Sequence, residues 1–315
     1  MPALRLFPPA ACAGLAFAVA AFGLLAANAA DTAGGQVRDD AGVTLALSAP
    51  ARRVVSLAPH LTEQLFAVGA GAQVVGVVAY SDFPDSARQL PLVGDSTQLD
   101  LERIVALRPD LIVAWHSGNS APQLDRLAGL GIAVYRSESR ELGDIASTLR
   151  RLGQLTGNSA TANEQARRFE TGIATLRERY AQRSEVRVFY QIWNQPLLTI
   201  NGTHMISQAL LLCGARNVFA DLSPLTPAVG EEAVLAADPD AIVTAAEPGR
   251  AVDDLQRWRK RKGLRAASLG NLLHVNPDTL HRQSHRFVEG ATELCQQIDV
   301  ARDRSRAAPA VKRRG

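Results

Sequence analysis

The chain has 315 residues and a formal net charge of +3, with 34 Lys and Arg against 31 Asp and Glu. That length admits two ordinary domains or one large one. Six basic residues and one acid fall in the last segment, RDRSRAAPAVKRRG, so the body is faintly acidic and its charge excludes a nucleic-acid footprint.

Residues 1–30 read as a cleavable export signal. Arg5 is their sole charge, AACAGLAFAVAAFGLLAA is apolar, and Ala27-Asn28-Ala29 offers an A-x-A cleavage site. The apolar run follows Cys12 instead of preceding it, which argues against a lipoprotein signal. No later stretch is apolar for long enough to span a bilayer.

After a lead-in over 31–51, strands and helices alternate. RRVVSL, QVVGVVAY, LIVAW and IAVYRS read as buried strands. HLTEQLFAVGAG, DLERIVAL and QLDRLAGLG read as the helices between them. Proline in Arg108-Pro109-Asp110 ends the second helix. Over 141–183 the pattern changes to two charged helical stretches with no strand between, the second long enough for roughly 30 Å of helix. Alternation then resumes with VRVFYQIW, PLLTI, MISQALLLCGA, EEAVLAAD, AIVTA, LLHVN and a last helix, SHRFVEGATELCQQIDVA.

Two of these stretches are nearly the same. LERIVALRPDLIVAW (Leu101 to Trp115) and EEAVLAADPDAIVTA (Glu231 to Ala245) match at Glu102/Glu232, Ala106/Ala236, Pro109/Pro239, Asp110/Asp240, Ile112/Ile242 and Val113/Val243. A repeated helix–turn–strand unit implies two α/β lobes of related plan, each a parallel sheet covered on both faces. The expected division is an N-terminal lobe over 52–157, a connecting helix over 158–184, a C-terminal lobe over 185–301 and a disordered basic tail over 302–315. Cys213 and Cys295 remain after export; both lie in the second half and tend to pair in an oxidising compartment, the alternative being two separate buried thiols.

Two open α/β lobes collect ligand at the carboxyl ends of their strands. That places Ala58 to His60, Tyr80 to Phe83, Trp115 to Asn119, Trp193 to Gln195 and Pro277 to His285 around a cleft. Tyr80 and Trp115 stand beside polar residues at strand exits, which favours a cleft wall over the core. His60 is a candidate ligand contact or metal ligand. His281 and His285, four apart, could share a metal, although a polar cleft rim is the simpler reading. G-x-S-x-G, H-E-x-x-H, GxxxxGK[ST] and GxGxxG are all missing, and no nucleophile is paired with a base, so a hydrolase or metal enzyme is the remote reading.

VVSLAPHLTEQLFAVGAGAQVVGVVAYSDFP, the doubled helix-PD-strand unit, LLLCGARNVF and the long connecting helix together resemble the periplasmic substrate-binding proteins of ABC importers, in the class with a rigid inter-lobe helix. Within that class the resemblance is strongest to cobalamin-binding members, over nearly the whole mature chain. It implies a periplasmic, monomeric, non-enzymatic protein without a cofactor, whose cargo is cobalamin and whose partners are an inner-membrane permease and its ATPase. It implies that Tyr80 and Trp115 line the pocket, that Asp278, Thr279, Leu280, His281 and Arg282 form a ligand-contacting loop, and that Cys213 and Cys295 are the family disulfide. Glu102 and Glu232 become docking carboxylates, one per lobe, for permease arginines; the bland alternative is that they merely complement helix N-termini. Ser96, Ile192, Leu198, Thr226 and Thr279 stand where the family carries aromatics, with Trp193 as a local substitute. The lost stacking area keeps haem or a ferric siderophore open as cargo. A stiff inter-lobe helix implies little closure on binding.

Overall fold

The computed structural model describes residues 36–308 except 247 and 262; the export signal expected at 1–30 lies outside them. A short antiparallel hairpin, β1 (Gln36–Arg38) and β2 (Thr44–Ala46), opens the chain. The first lobe follows as β3 (Val54–Ser56), α1 (Pro59–Ala67), β4 (Val74–Val77), α2 (Leu101–Ala106), β5 (Leu111–Trp115), α3 (Ala121–Gly129) and β6 (Ala133–Ser137). Helices α4 (Leu142–Thr156) and α5 (Ser159–Tyr180) then run with no strand between them. The second lobe comprises β7 (Val186–Gln191), α6 (Met205–Leu212), β8 (Ala215–Asn217), α7 (Glu231–Ala237), β9 (Ala241–Ala245), α8 (Pro248–Arg259), α9 (Arg265–Ser268), β10 (Leu272–Val275), α10 (Pro277–Leu280) and α11 (Phe287–Ala307).

The duplication legible in the sequence is a duplication of topology. The first sheet is parallel in the order β4-β3-β5-β6, and the second, read from its β8 edge, is β8-β7-β9-β10. Repeat strands β5 and β9 therefore hold the same place, between the first and last strands of their lobes. Each is preceded by a helix that a left-handed residue ends before the proline, Arg108 at φ 47° and Asp238 at φ 39°. Asp110 accepts from the Arg52 and Arg53 N–H groups at 2.8 and 3.0 Å, and Asp240 accepts from the Arg187 N–H at 3.0 Å. The repeated aspartate thus closes the backbone of a neighbouring strand in both lobes, which is why the Pro-Asp pair recurs.

Continuous apolar strands follow from burial on both faces. Val54, Leu111 and Val113 point to an inner core, while Val55, Ile112 and Ala114 point to an outer one under α2 and α3. In the second lobe Val188, Tyr190 and Val243 join the same inner core, and Phe189 and Ile242 pack outward against Trp258. One inner core thus passes from lobe to lobe through α4, α5 and α11. α5, with 22 residues and roughly 33 Å of length, is the spine between the lobes.

Cys213, which follows α6, is bonded to Cys295 on α11 across a sequence separation of 82 residues. In the chain-entropy model a loop of that length contributes about 4 kcal/mol, all of it within the second lobe.

Three expectations need correction. PLLTI forms no strand; Leu198 makes only isolated bridges to Trp193 and Ala228, and Thr199 is bonded to the Pro227 carbonyl at 3.0 Å. The segment 276–282 carries a helical turn, α10, capped by Asn276, whose side chain accepts from the Asp278 N–H at 2.9 Å. Residues 302–307, expected in a disordered tail, continue α11. Arg302 is buried, pairs with Asp299, and donates to the Ser184 and Cys213 carbonyls at 2.7 and 2.6 Å. Arg304 donates to the Gly270 carbonyl at 2.6 Å, so these arginines tie the helix to its lobe instead of releasing it to solvent. Residues 309–315 lie outside the described part. Neither α8 nor the short strand β8 is foreseen from periodicity.

Candidate functional site

Parallel sheets bring every strand's carboxyl end to one edge, and the segments that follow β3 and β4 in the first lobe meet residues 282–286 of the second through Glu63–Arg282 and Asp82–Arg282. On the first lobe, Tyr80 sits in the turn after β4 with φ 65° and is 80% exposed, as a side chain offered to solvent and not to the core. Trp115, at the end of β5, is half-buried. Its position is set from two sides. A Cβ at Gly118 would lie 1.9 Å from the indole ring, so only glycine lets the loop cross that close. The His60 ring meets the indole edge-on, with centroids 5.4 Å apart and an interplanar angle of 88°.

Behind this wall Asn119 joins three loops. It accepts from the Trp115 N–H at 2.7 Å and donates to the Leu57 and Ser96 carbonyls at 2.9 and 2.8 Å. His60 is 8% exposed, and burial, aided by the nearby positive charge of Arg282, lowers its pKa to about 4. It is a neutral, buried strut against Trp115.

The second lobe supplies Trp193, which follows β7, is 59% exposed and donates from Nε1 to the Gln195 carbonyl at 2.9 Å. A cavity of about 620 Å³ opens beside it, lined by Trp193, Asn194, Thr244, Asp254, Pro277 and His281 among others. His281 is exposed there, and its Nε2 is 2.9 Å from the buried Tyr190 hydroxyl. His285 has no partner for its Nδ1, and among the described residues no group of three or more His, Cys, Asp or Glu is placed to hold a metal ion. Leu280 and Thr279 are turned inward, and the α11 backbone at Gly290 packs against both. They support the wall from behind.

Arg282 has a different setting from the one its sequence position suggests. Its guanidinium is shared among Glu63 at 2.9 Å, Asp82 at 2.6 Å and Asp278 at 2.9 Å. These carboxylates hold its pKa above the ordinary arginine value, against the opposing effect of burial.

A sequence model described as a periplasmic binding protein matches residues 54–279. The chain belongs to that family. It is 38% identical over 248 residues to the vitamin B12-binding proteins of Yersinia pestis and Yersinia pseudotuberculosis, covering 79% of this chain and 86% of theirs. Among solved structures it is similar to the periplasmic vitamin B12-binding protein BtuF of Vibrio cholerae, with 33% identity, a TM-score of 0.74, and coverage of 80% of this chain and 98% of that one. A periplasmic heme-binding protein from Pseudomonas aeruginosa is 27% identical with a TM-score of 0.66, over 83% of this chain and 95% of that one.

Seen as a periplasmic binding protein, the chain presents its two repeat glutamates alike. Glu102 and Glu232 lie exposed in the first turns of α2 and α7, and neither has a salt-bridge partner among the described residues. The adjacent Glu231 is engaged by Arg257 at 3.5 Å and Arg261 at 2.6 Å. Glu63 was not singled out from sequence, and Asp82, Phe83 and Asn119 were included only as members of the strand-exit stretches 80–83 and 115–119. Glu63 carried a faint signal, an acid inside an otherwise apolar helical face (HLTEQLF). The others carried only their place after a strand.

Proposed function

We propose that this periplasmic binding protein captures cobalamin, or a closely related corrinoid, and presents it to an inner-membrane ABC permease with its ATPase. The reading rests on one observation above the others: the chain is 38% identical to vitamin B12-binding proteins over 248 residues, and its Tyr80, Trp115 and Trp193 stand exposed or half-buried at strand exits. Aromatics at strand exits of both lobes suit a broad ligand held by stacking and apolar contact, with hydrogen bonds to peripheral amides from polar groups that line the cavity beside Trp193, such as Asn194 and Asp254. No bond is made or broken, no cofactor is needed, and the protein acts as a monomer. Glu102 and Glu232 serve as docking anions, one on each lobe, and residues 1–30 direct export.

Loss of aromatics at Ser96, Ile192, Leu198 and Thr226 trims the stacking area, and Trp193, bridged to Leu198, restores part of it. A ferric siderophore bearing net negative charge fits less well, because Arg282 is already surrounded by Glu63, Asp82 and Asp278. Haem is the second reading, since the exposed Tyr80 phenol is a feasible axial ligand; His60, buried against Trp115, is not. Calorimetric titration with cyanocobalamin, haemin and a ferric hydroxamate, read alongside visible spectra, decides among them. A saturable 1:1 heat with cyanocobalamin is expected. Tight haemin binding with a shifted Soret band, and no heat with cyanocobalamin, overturns the reading.

A further inference from the structure

Glu63 lies on α1 of the first lobe with its side chain wholly buried. Among the described residues, the side chains that donate to it come from the second lobe: Arg282 at 2.9 Å, Arg286 at 3.3 Å and the Ser284 hydroxyl. Next to it, Gln64 donates from Nε2 to the Gln283 carbonyl at 2.8 Å. Burial pushes the Glu63 carboxyl above its ordinary range, and Ser284, Arg282 and Arg286 oppose that push. A carboxylate this deep stays compensated only while those donors remain in place. Segment 282–286 is therefore committed to the first lobe although it belongs to the second.

The same segment reaches the turn that carries Tyr80. Arg282 pairs with Asp82 at 2.6 Å, and the Arg286 guanidinium lies over the Phe83 ring at 3.9 Å from its centroid. From α1, Thr62 donates to the Ser81 hydroxyl at 3.1 Å. Tyr80 is almost free of contacts of its own, so its neighbours decide where its ring stands.

We propose that segment 282–286 is an inter-lobe strap, with Glu63 as its buried anchor and Arg282 as a positioning residue that holds both the cleft width and the Tyr80–Phe83 turn. Helix α5 and the apolar core shared through α4 and α11 join the lobes, and packed helices can still slide or rock against one another. A second, ionic connection removes that freedom. Arg282 then contributes to binding through the wall it fixes and not through contact with cargo. The strap itself does not depend on which ligand is carried; only its effect on binding rests on the cobalamin reading.

The test places spin labels at V105C and L235C, both on exposed positions of the equivalent helices α2 and α7, and measures their separation by pulsed electron resonance without ligand. Glu63→Gln and Arg282→Met are compared with the labelled parent. A narrow distribution in the parent, and one broadened or shifted by several Å in both variants, is expected. Amide exchange over 80–83 should rise by at least about tenfold, the mark of a turn that has lost its tether. Arg282→Lys should restore the narrow distribution in part. In a second arm cyanocobalamin should leave the variants at least about tenfold faster than the parent.

Unchanged distances and unchanged exchange in folded variants overturn the strap, even if thermal stability falls. If Glu63→Gln does not fold, Arg282→Met and Asp82→Asn decide by the same readouts. Altered distances in a protein whose parent never binds cyanocobalamin would sustain the strap and reject the cobalamin reading.

Discussion

Arg53 and Arg187 perform the same task in the two lobes. Arg53 donates to the Leu107 and Arg108 carbonyls at 2.7 and 3.2 Å, and Arg187 donates to the Ala237 and Asp238 carbonyls at 2.6 and 3.2 Å. Those carbonyls are the ones left without partners where α2 and α7 stop. A cation at a helix C-terminus also complements the dipole. Each arginine thereby locks the repeated helix to the start of a neighbouring strand, which in turn sets where Glu102 and Glu232 project.

Removing these caps should destabilise unequally. Arg187 is the less exposed of the two, and its neighbour Asp240 is further engaged by Arg265 at 2.7 Å. Arg187→Ala is expected to cost about 2 kcal/mol, within the range for hydrogen bonds from charged groups, and the more exposed Arg53→Ala about 1 kcal/mol, as for an ordinary hydrogen bond. Urea unfolding of the two variants measures this, and equal or reversed losses would contradict the assignment.

Gly118→Ala should disturb the cleft without dismantling the lobe. The new methyl would fall 1.9 Å from the Trp115 ring, so the indole or the loop must move. Overpacking of this kind costs about 1–3 kcal/mol. The expected result is a shifted tryptophan emission together with weaker cyanocobalamin binding; an unchanged spectrum and affinity would remove Trp115 from the wall.

Acid should weaken the fold through buried histidines. Burial holds His60 and His204 at about 4 in the folded protein, against an ordinary value of 6.5. Between those pH values the unfolded chain binds the extra proton, so this contribution is complete above pH 6.5 and is lost as pH falls toward 4. For His60 it amounts to about 3 kcal/mol. Urea unfolding at pH 7 and pH 5 should show the loss, and His60→Gln should make the profile flatter; a parallel profile in the variant would reject the role of His60.

Docking should separate cleanly from capture. Glu102→Ala and Glu232→Ala remove exposed charges with no partner among the described residues, so melting temperature and cyanocobalamin affinity should stay unchanged. Uptake driven by a reconstituted permease should fall by about tenfold or more for each, as expected when one member of an interfacial charge pair is removed. Undiminished uptake by the double variant would leave both glutamates as helix-terminus charges only.

Much of this architecture was legible in the residue pattern. LIVAW and AIVTA announced strands covered on both faces, and Val54 and Val55 do point to separate cores. The repeated Pro-Asp pair announced the second lobe, and Cys213 found Cys295. The candidate site was half legible. Tyr80, Trp115 and Trp193 were placed by the rule that ligands meet strand exits, and they stand exposed or half-buried at those exits. Arg282 was singled out for a ligand and proved to be consumed by carboxylates. The Arg302 segment was assigned to a tail and proved to be helix, because its charge is spent on carbonyls of Ser184 and Cys213.

The division has a physical cause. Periodicity, caps and helix stops act over a few residues, so the chain by itself determined two parallel α/β lobes, their repeated unit and the rod between them. Partners separated by long stretches of chain leave no such mark. That Glu63 meets Arg282, 219 positions away, or that Asn119 meets Ser96 and Leu57 together, was decided only by tertiary packing, between the lobes in the first case and within the first lobe in the second, where buried polar groups must find hydrogen-bond partners.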